Sequence, residues 1–338
     1  YVNVRNIAAE RERTFKSTFV RWESLLVLMF IAVNVMNICI SPNYLKADNL
    51  FTAISNFLVK GFIAFPMAFI LVIGEIDLSV GATVALSATL LGVSYNAGVP
   101  MGLSVLIALC CGLCCGLLNG IIMVSFPELA PMIVTLGTSS VFKGFMQGTL
   151  NSKQLAVIPQ GMRSFGTSAL FVAKNAASGL TSRMPMTFLC FVAVLIIAWF
   201  LLTRTMFGRG IYAVGGNRKA AALSGIKVNN VMFWIYVNMG ILAGLAGVIL
   251  TARNASATPK AGDMFEMDAI AACYIGGTAV PGGEGTVTGA VVGALIMGVL
   301  NNGMSLLGWS VDVQRVVKGL VLLAAVAIDL HFKSKKNS

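Results

Sequence analysis

The side chains that could do chemistry are few, and they are grouped. Glu75 and Asp77 lie in residues 74–82, GEIDLSVGA, between two apolar runs, with Ser79 two positions further on. Two roles fit such acids. One is a gate, or a contact with a partner or solute. The other is capping, since an oxygen at a helix start accepts from free backbone N–H groups and meets the positive end of the helix dipole. Capping is the better reading of Asp77; for Glu75 both stay open. Asp268 reads as a first-turn acid of a later helix and Glu284 as a loop residue. Asn34, Asn37, Asn56, Asn119, Thr135, Thr138, Ser139, Asn238, Asn301 and Asn302 fall in or beside apolar runs, as do Lys60 and Lys143. Polar groups in hydrocarbon face a bundle interior, where they bond across helices or line a path. Glu75, Asp77, Ser79, Asn119, Thr135, Asn301 and Asn302 are the candidates for a substrate path or gate. Most of the set is uncharged, which suits a neutral hydroxylated solute better than an ion.

Other chemistry is poorly provided for. The chain contains no GxxxxGK[ST] phosphate loop, so it does not hydrolyse ATP through that machinery. Its seven cysteines include CCGLCC at 110–115, but these stand among Leu and Gly, and the single histidine, His331, is far away. Small residues at a helix-packing surface explain them better than metal or redox chemistry. No metal set and no acid–base pair on one helix face is apparent, which argues against an enzyme.

A long polar interruption covers residues 208–228, GRGIYAVGGNRKAAALSGIKV. It carries Arg209, Arg218, Lys219 and Lys227 and no acid. It breaks at Gly215-Gly216, offers Asn217 as a helix cap, runs through an Ala-rich turn and breaks again at Gly225. A short capped helix of this kind is suited to docking a soluble partner.

The elements that must hold these groups are membrane helices. Of 338 residues, 57% are hydrophobic and 11% charged, where a soluble domain carries about 25% charged residues; mean hydropathy is +0.85. A span needs about 20 mostly apolar residues. The expected spans are 24–40, 51–73 with a bend at Pro66, a third ending near 95, then 101–124, 129–149, 186–202, 231–251, 264–279, 287–307 and 311–330. The fold class is therefore an all-α polytopic membrane protein of about ten transmembrane helices. No cleavable signal peptide is expected. Residues 1–23 form a polar arm, 24–330 the transmembrane domain and 331–338 a basic tail. Residues 151–185 read as an extramembranous loop with some interfacial helix. Ten spans place the arm, residues 204–230 and the tail on one side. These hold a large share of the 24 Lys and Arg, so that side is cytoplasmic, as are both termini. The net charge of +11 thus reflects orientation in lipid and not a nucleic-acid footprint. A weak internal echo links VIGEIDLSVGATVAL with YIGGTAVPGGEGTVTGAVVGAL, each an apolar end, a Gly-rich break and a helix start.

Four stretches in order, GEIDLSVG at 74–81, the 208–228 segment, residues 267–308 and VVKGLVLLAAVAIDL at 316–330, resemble the permease subunits of bacterial ABC importers for monosaccharides, the branch with the ribose, xylose, galactose and rhamnose systems. The resemblance covers nearly the whole chain. It implies a multi-pass subunit of the bacterial inner membrane that moves a sugar but breaks no bond. The partners it implies are a second permease subunit, an ABC ATPase that carries the ATP and Mg, and an extracytoplasmic sugar-binding protein. It assigns ATPase docking to Gly208, Arg209, Gly215, Gly216, Asn217, Ala220, Ala221, Ser224 and Gly225. Residues 60–150 look particularly like permeases for rhamnose and for the furanosyl signal autoinducer-2, which makes such a molecule the alternative solute. A secondary carrier would instead want ionisable groups deep in its spans and no dock.

Overall fold

Apolar stretches separated by glycine and proline breaks give helices in the computed structural model, which describes residues 22–150, 155, 169–174, 181–258 and 260–337. The helices are α1 (Trp22–Ile40), α2 (Ala47–Val72), α3 (Val80–Asn96), α4 (Met101–Ser125), α5 (Pro131–Leu150), α6 (Thr187–Arg204), α7 (Met206–Gly216), α8 (Arg218–Leu223), α9 (Val228–Asn254), α10 (Phe265–Ile275), α11 (Val287–Leu306) and α12 (Val311–Asn337). Among the described residues, five stretches are long and apolar enough to cross a membrane: Asn49–Val72, Met101–Ser125, Thr187–Arg204, Val228–Asn254 and Val287–Leu306. Leu26–Ile40 and Val80–Asn96 are shorter apolar helices. The expected span at 264–279 is realised as the 11-residue α10, about 16 Å long against a hydrocarbon core of about 30 Å. Gly276 and Gly277 end it, and the chain continues as an irregular break to α11. Pro66 lies inside α2 without ending it.

The expected arm falls almost wholly outside the described residues, as does most of 151–185. What is described of that loop is mainly a pair of strands; the interfacial helix expected in it falls outside the described residues. Strands β1 (Ala169–Lys174) and β2 (Thr181–Pro185) pair antiparallel, with Lys174 opposite Thr181, and β2 lies beside α2.

The centre of the bundle is α2, whose second half is buried all round: Phe62, Ile63, Phe65, Met67 and Ile70 are fully enclosed. A helix apolar on every face belongs inside a bundle, away from lipid. Phe191 of α6 meets Phe57, Phe62 and Phe65 with ring centroids 5.0–5.5 Å apart. The lipid-facing helices show the converse: Leu106, Ile121, Ile133, Phe145, Ile196 and Phe200 are exposed.

Helix α9 packs on α4 through glycine. A Cβ on Gly112 would lie 2.5 Å from the Gly240 carbonyl oxygen, and one on Gly240 would lie 2.6 Å from the Gly116 Cα. The GxxxG spacing therefore does what it does between membrane helices generally, letting two backbones touch. The neighbouring Cys110 and Cys114 are exposed and Cys115 is buried, all as free thiols. It is the glycines of CCGLCC, more than its cysteines, that make the close approach.

Candidate functional site

Three sequence breaks converge at one end of the bundle. Helix α2 ends in a Schellman arrangement: Gly74 N–H donates to Leu71 O, Glu75 N–H donates to Ile70 O, and Gly74 sits at φ 79°. Helix α10 ends the same way through Gly277 at φ 87°, with Thr278 N–H donating to Cys273 O. Helix α8 repeats the device at Gly225, φ 84°, with Ile226 N–H donating to Ala221 O. A left-handed residue at the end of a helix favours glycine, which has no Cβ to clash.

The breaks touch. Gly283 N–H donates to Val72 O at 2.7 Å, so the 276–286 break is tied to the end of α2. The α7–α8 segment lies on both. Gly215 rests against the Val72 carbonyl, and a Cβ there would also lie 2.8 Å from Gly283 N. Tyr212 Oη donates to Gly285 O at 2.6 Å. At the top of α7, Thr205 Oγ1 accepts from Gly208 N–H. Asn217 Oδ1 accepts from Ala220 N–H at 3.0 Å and so starts α8 as its N-cap. The capping reading of Asn217 is seen directly.

Glu75 is buried, with its side chain 1% exposed. One carboxylate oxygen is ion-paired to the Arg218 guanidinium, at the first residue of α8. The other accepts from Tyr236 Oη on α9 at 2.8 Å. A buried carboxylate that loses its cation costs several kcal/mol, so this contact is strongly specified. Asp77 Oδ1 accepts from Ser79 N–H at 2.7 Å and Ser79 Oγ at 2.6 Å. It thus stiffens the approach to α3, whose N-cap is Ser79 itself. Asn119 Nδ2 of α4 donates to Ser79 Oγ at 2.8 Å. Leu78 N–H donates to Thr135 Oγ1 of α5 at 3.1 Å. The seven-residue break between α2 and α3 therefore holds α4, α5, α8 and α9 by side-chain hydrogen bonds.

The candidate path residues fall into two places. Glu75, Asp77, Ser79, Asn119 and Thr135 belong to this converging end. Asn301 and Asn302 lie far along α11, in a cavity of about 370 Å³ bordered by α2, α9, α10, α11 and α12. The docking candidates divide as well. Gly208, Gly215 and Ala221 face inward and seat the segment, whereas Gly216, Asn217, Ala220, Ser224 and Gly225 are exposed. Arg209 is exposed beside Met206.

Sequence reading missed three participants. Leu223, the last residue of α8, is 90% exposed, and Met206 is 75% exposed. Both are large apolar side chains that the α7–α8 segment leaves uncovered. Their apolar character was legible, but which face each would take was not. Arg218 was noted as one basic residue among four; nothing in the spacing reveals that its partner lies 143 positions away.

The site is thus a set of glycine-ended breaks in a multi-pass helical bundle, meeting beneath an exposed capped helix. The chain belongs to the family described as branched-chain amino acid transport system / permease component, whose model matches residues 49–326. It is 42% identical over 304 residues to the ribose import permease protein RbsC of Bacillus subtilis (strain 168), covering 90% of each chain. It is 39% identical over 292 residues to the D-allose transport system permease protein AlsC of Escherichia coli (strain K12), covering 86% of each. The xylose transport system permease protein XylH of the same strain is 32% identical over 343 residues, covering 86% of this chain and 87% of that one. No solved structure matches the chain.

Proposed function

We propose that this protein is the membrane-spanning subunit of an ATP-driven importer that carries a monosaccharide across the bacterial inner membrane. A partner ABC ATPase, holding ATP and Mg, docks on α7–α8. A second permease subunit, identical or paralogous, completes the path, and an extracytoplasmic binding protein delivers the solute. The three named relatives, permeases for ribose, allose and xylose, support the solute class; a furanosyl molecule is the alternative within it.

The observation that carries the reading is the exposed α8, presenting Leu223 while its base is locked to the breaks below. Leu223, 90% exposed at the end of that short helix, is available to fill a groove on a partner. Force applied at α8 reaches α9 through Arg218, Glu75 and Tyr236. It reaches α3, α4 and α5 through the break that carries Glu75, Asp77 and Ser79. Such a linkage lets partner contacts bias a two-state change between outward and inward access. This end of the bundle is then cytoplasmic. Leu26, in the first half of α1, borders a cavity with Gly276, Gly277 and Gly285 of the same end, and α12 runs back toward it. This supports both termini lying on the cytoplasmic side, with the ten-span count that places them there.

Replacing residues 217–224 by a Gly-Ser linker should abolish co-purification of the ATPase and ATP-dependent uptake of labelled monosaccharide into proteoliposomes. Retention of both would remove the docking assignment. Lys60, Asp268 and Lys318, ionisable groups inside helices, are what a proton-driven carrier would also possess. Uptake driven by a proton gradient without ATPase would favour that class.

A further inference from the structure

The cavity at the far half of the bundle has an unbalanced charge. Lys60 of α2, Arg253 of α9, Lys260 of the following loop and Lys318 of α12 line it, and among the described residues no carboxylate does. Asp268 stands behind the lining, 2% exposed at its side chain, and serves two lysines at once. Lys60 Nζ is 2.5 Å and Lys318 Nζ 3.2 Å from its Oδ2. The lysine side chains are themselves largely enclosed, 24% and 13% exposed. The Arg253 guanidinium donates only to neutral acceptors, Ser55 O and Asn56 Oδ1. The other acids of the neighbourhood are engaged elsewhere. Asp263 pairs with Arg315 at 3.1 Å, and Glu266 lies against Gly81 of α3. Two enclosed lysines thus share one carboxylate and Arg253 lines the same space with no acid of its own, an arrangement that costs free energy unless further negative charge enters.

The lining carries a second unmet demand. Both amide atoms of Asn301, Nδ2 and Oδ1, are buried without a partner. A buried amide left unbonded is unfavourable by about 1–3 kcal/mol, and this one can donate and accept at once. Thr258, Ser305 and Gln314 add neutral polar groups around it. Hydroxyls satisfy the amide; an anion satisfies the cations.

We infer that this cavity is a solute subsite selective for a small polyhydroxylated anion, a sugar bearing a carboxylate or phosphate, with Arg253 and Lys318 holding the anionic group and Asn301 a hydroxyl. The inference rests on the importer reading, and it replaces the neutral solute expected from the sequence with an anionic one. The cations come from four separate segments, and only the fold gathers them. A cavity of about 370 Å³ accommodates a single monosaccharide with some water, in the lower range of small-molecule sites.

The test uses the assembled importer in phosphatidylcholine nanodiscs, without nucleotide or binding protein, titrated calorimetrically with D-ribonate and with D-ribose. Ribonate should bind about tenfold tighter than ribose, and Arg253→Gln or Lys318→Met should each weaken ribonate about tenfold or more, the range of one charge-assisted contact. Asp268→Asn should act in the opposite sense and tighten ribonate binding, a gain that misfolding cannot mimic. Repeating the titration with phosphatidylglycerol separates the sources of negative charge: competition by the lipid identifies a headgroup as an alternative occupant of the same anion site. Equal binding of ribose and ribonate, or ribonate binding indifferent to Arg253→Gln and Lys318→Met, would overturn the proposal. ATP-dependent uptake of ribose in the same preparation reports separately on the importer reading.

Discussion

Cutting the link between Glu75 and Arg218 should loosen the ATPase grip by unlatching α8, and Glu75→Gln does so from beneath the docking surface. Glu75 is enclosed, whereas the Arg218 side chain is 45% exposed. Stripping a fully buried carboxylate of its cation costs about 3–5 kcal/mol. Water reaches Arg218, so the pair is screened, and Tyr236 still donates to the carboxylate at 2.8 Å. The expected loss is therefore nearer 1–2 kcal/mol. An unlatched α8 must be reordered when the ATPase binds, so the loss falls on affinity, as a weakening of roughly 5–30-fold. Glu75→Gln, Arg218→Gln and the double variant form the cycle, read as ATPase affinity for the purified permease in nanodiscs. Each single substitution should show the loss, and the double should show little more than either, giving an interaction of about 1–2 kcal/mol. Effects that simply add, with an interaction under about 0.5 kcal/mol, would refute the latch.

The adjacent glycines of the docking segment should behave oppositely. Gly215→Ala places a methyl on the Val72 carbonyl and 2.8 Å from Gly283 N, whereas a Cβ at Gly216 meets nothing within 4 Å. The first should lower the thermal midpoint markedly and abolish uptake; the second should be neutral or slightly stabilising, by up to about 1 kcal/mol. Asn217→Ala removes the cap on Ala220 N–H. It should weaken ATPase binding by about 1 kcal/mol, measured as a roughly fivefold rise in Kd, with unfolding of the bundle unchanged.

Much of this architecture is written locally in the chain. The helix stretches follow apolar runs, and the Schellman ends follow Gly74, Gly225 and Gly277, because a left-handed residue there has few alternatives. Asn217 announced its cap because its side-chain oxygen can accept a free N–H at a helix start. Residues 264–279 show where this reasoning stops. Its apolar content reads as a full span, yet only 11 residues are helical, because Gly276 and Gly277 act before length does. The β-hairpin was hidden by the turn-rich composition around it. Least legible were the long-range pairings. Glu75 offered a gate or a cap from spacing alone and proved to be an ion-pair partner of α8. Asp268 does fall in the first turn of its helix, but its two lysines come from α2 and α12. The converging glycine breaks were visible as an echo in sequence, while their mutual contact depends on tertiary packing.

The central claim is that α8 is the surface on which an ATPase acts. Leu223 tests it most directly, since it is 90% exposed and its replacement leaves the fold undisturbed. Affinity of the partner ATPase for nanodisc-embedded permease should fall at least about tenfold for Leu223→Asp, the scale expected when one apolar side chain no longer fills its pocket in an interface, with the thermal midpoint of the permease unchanged. An ATPase that binds Leu223→Asp as tightly as the parent would contradict the account.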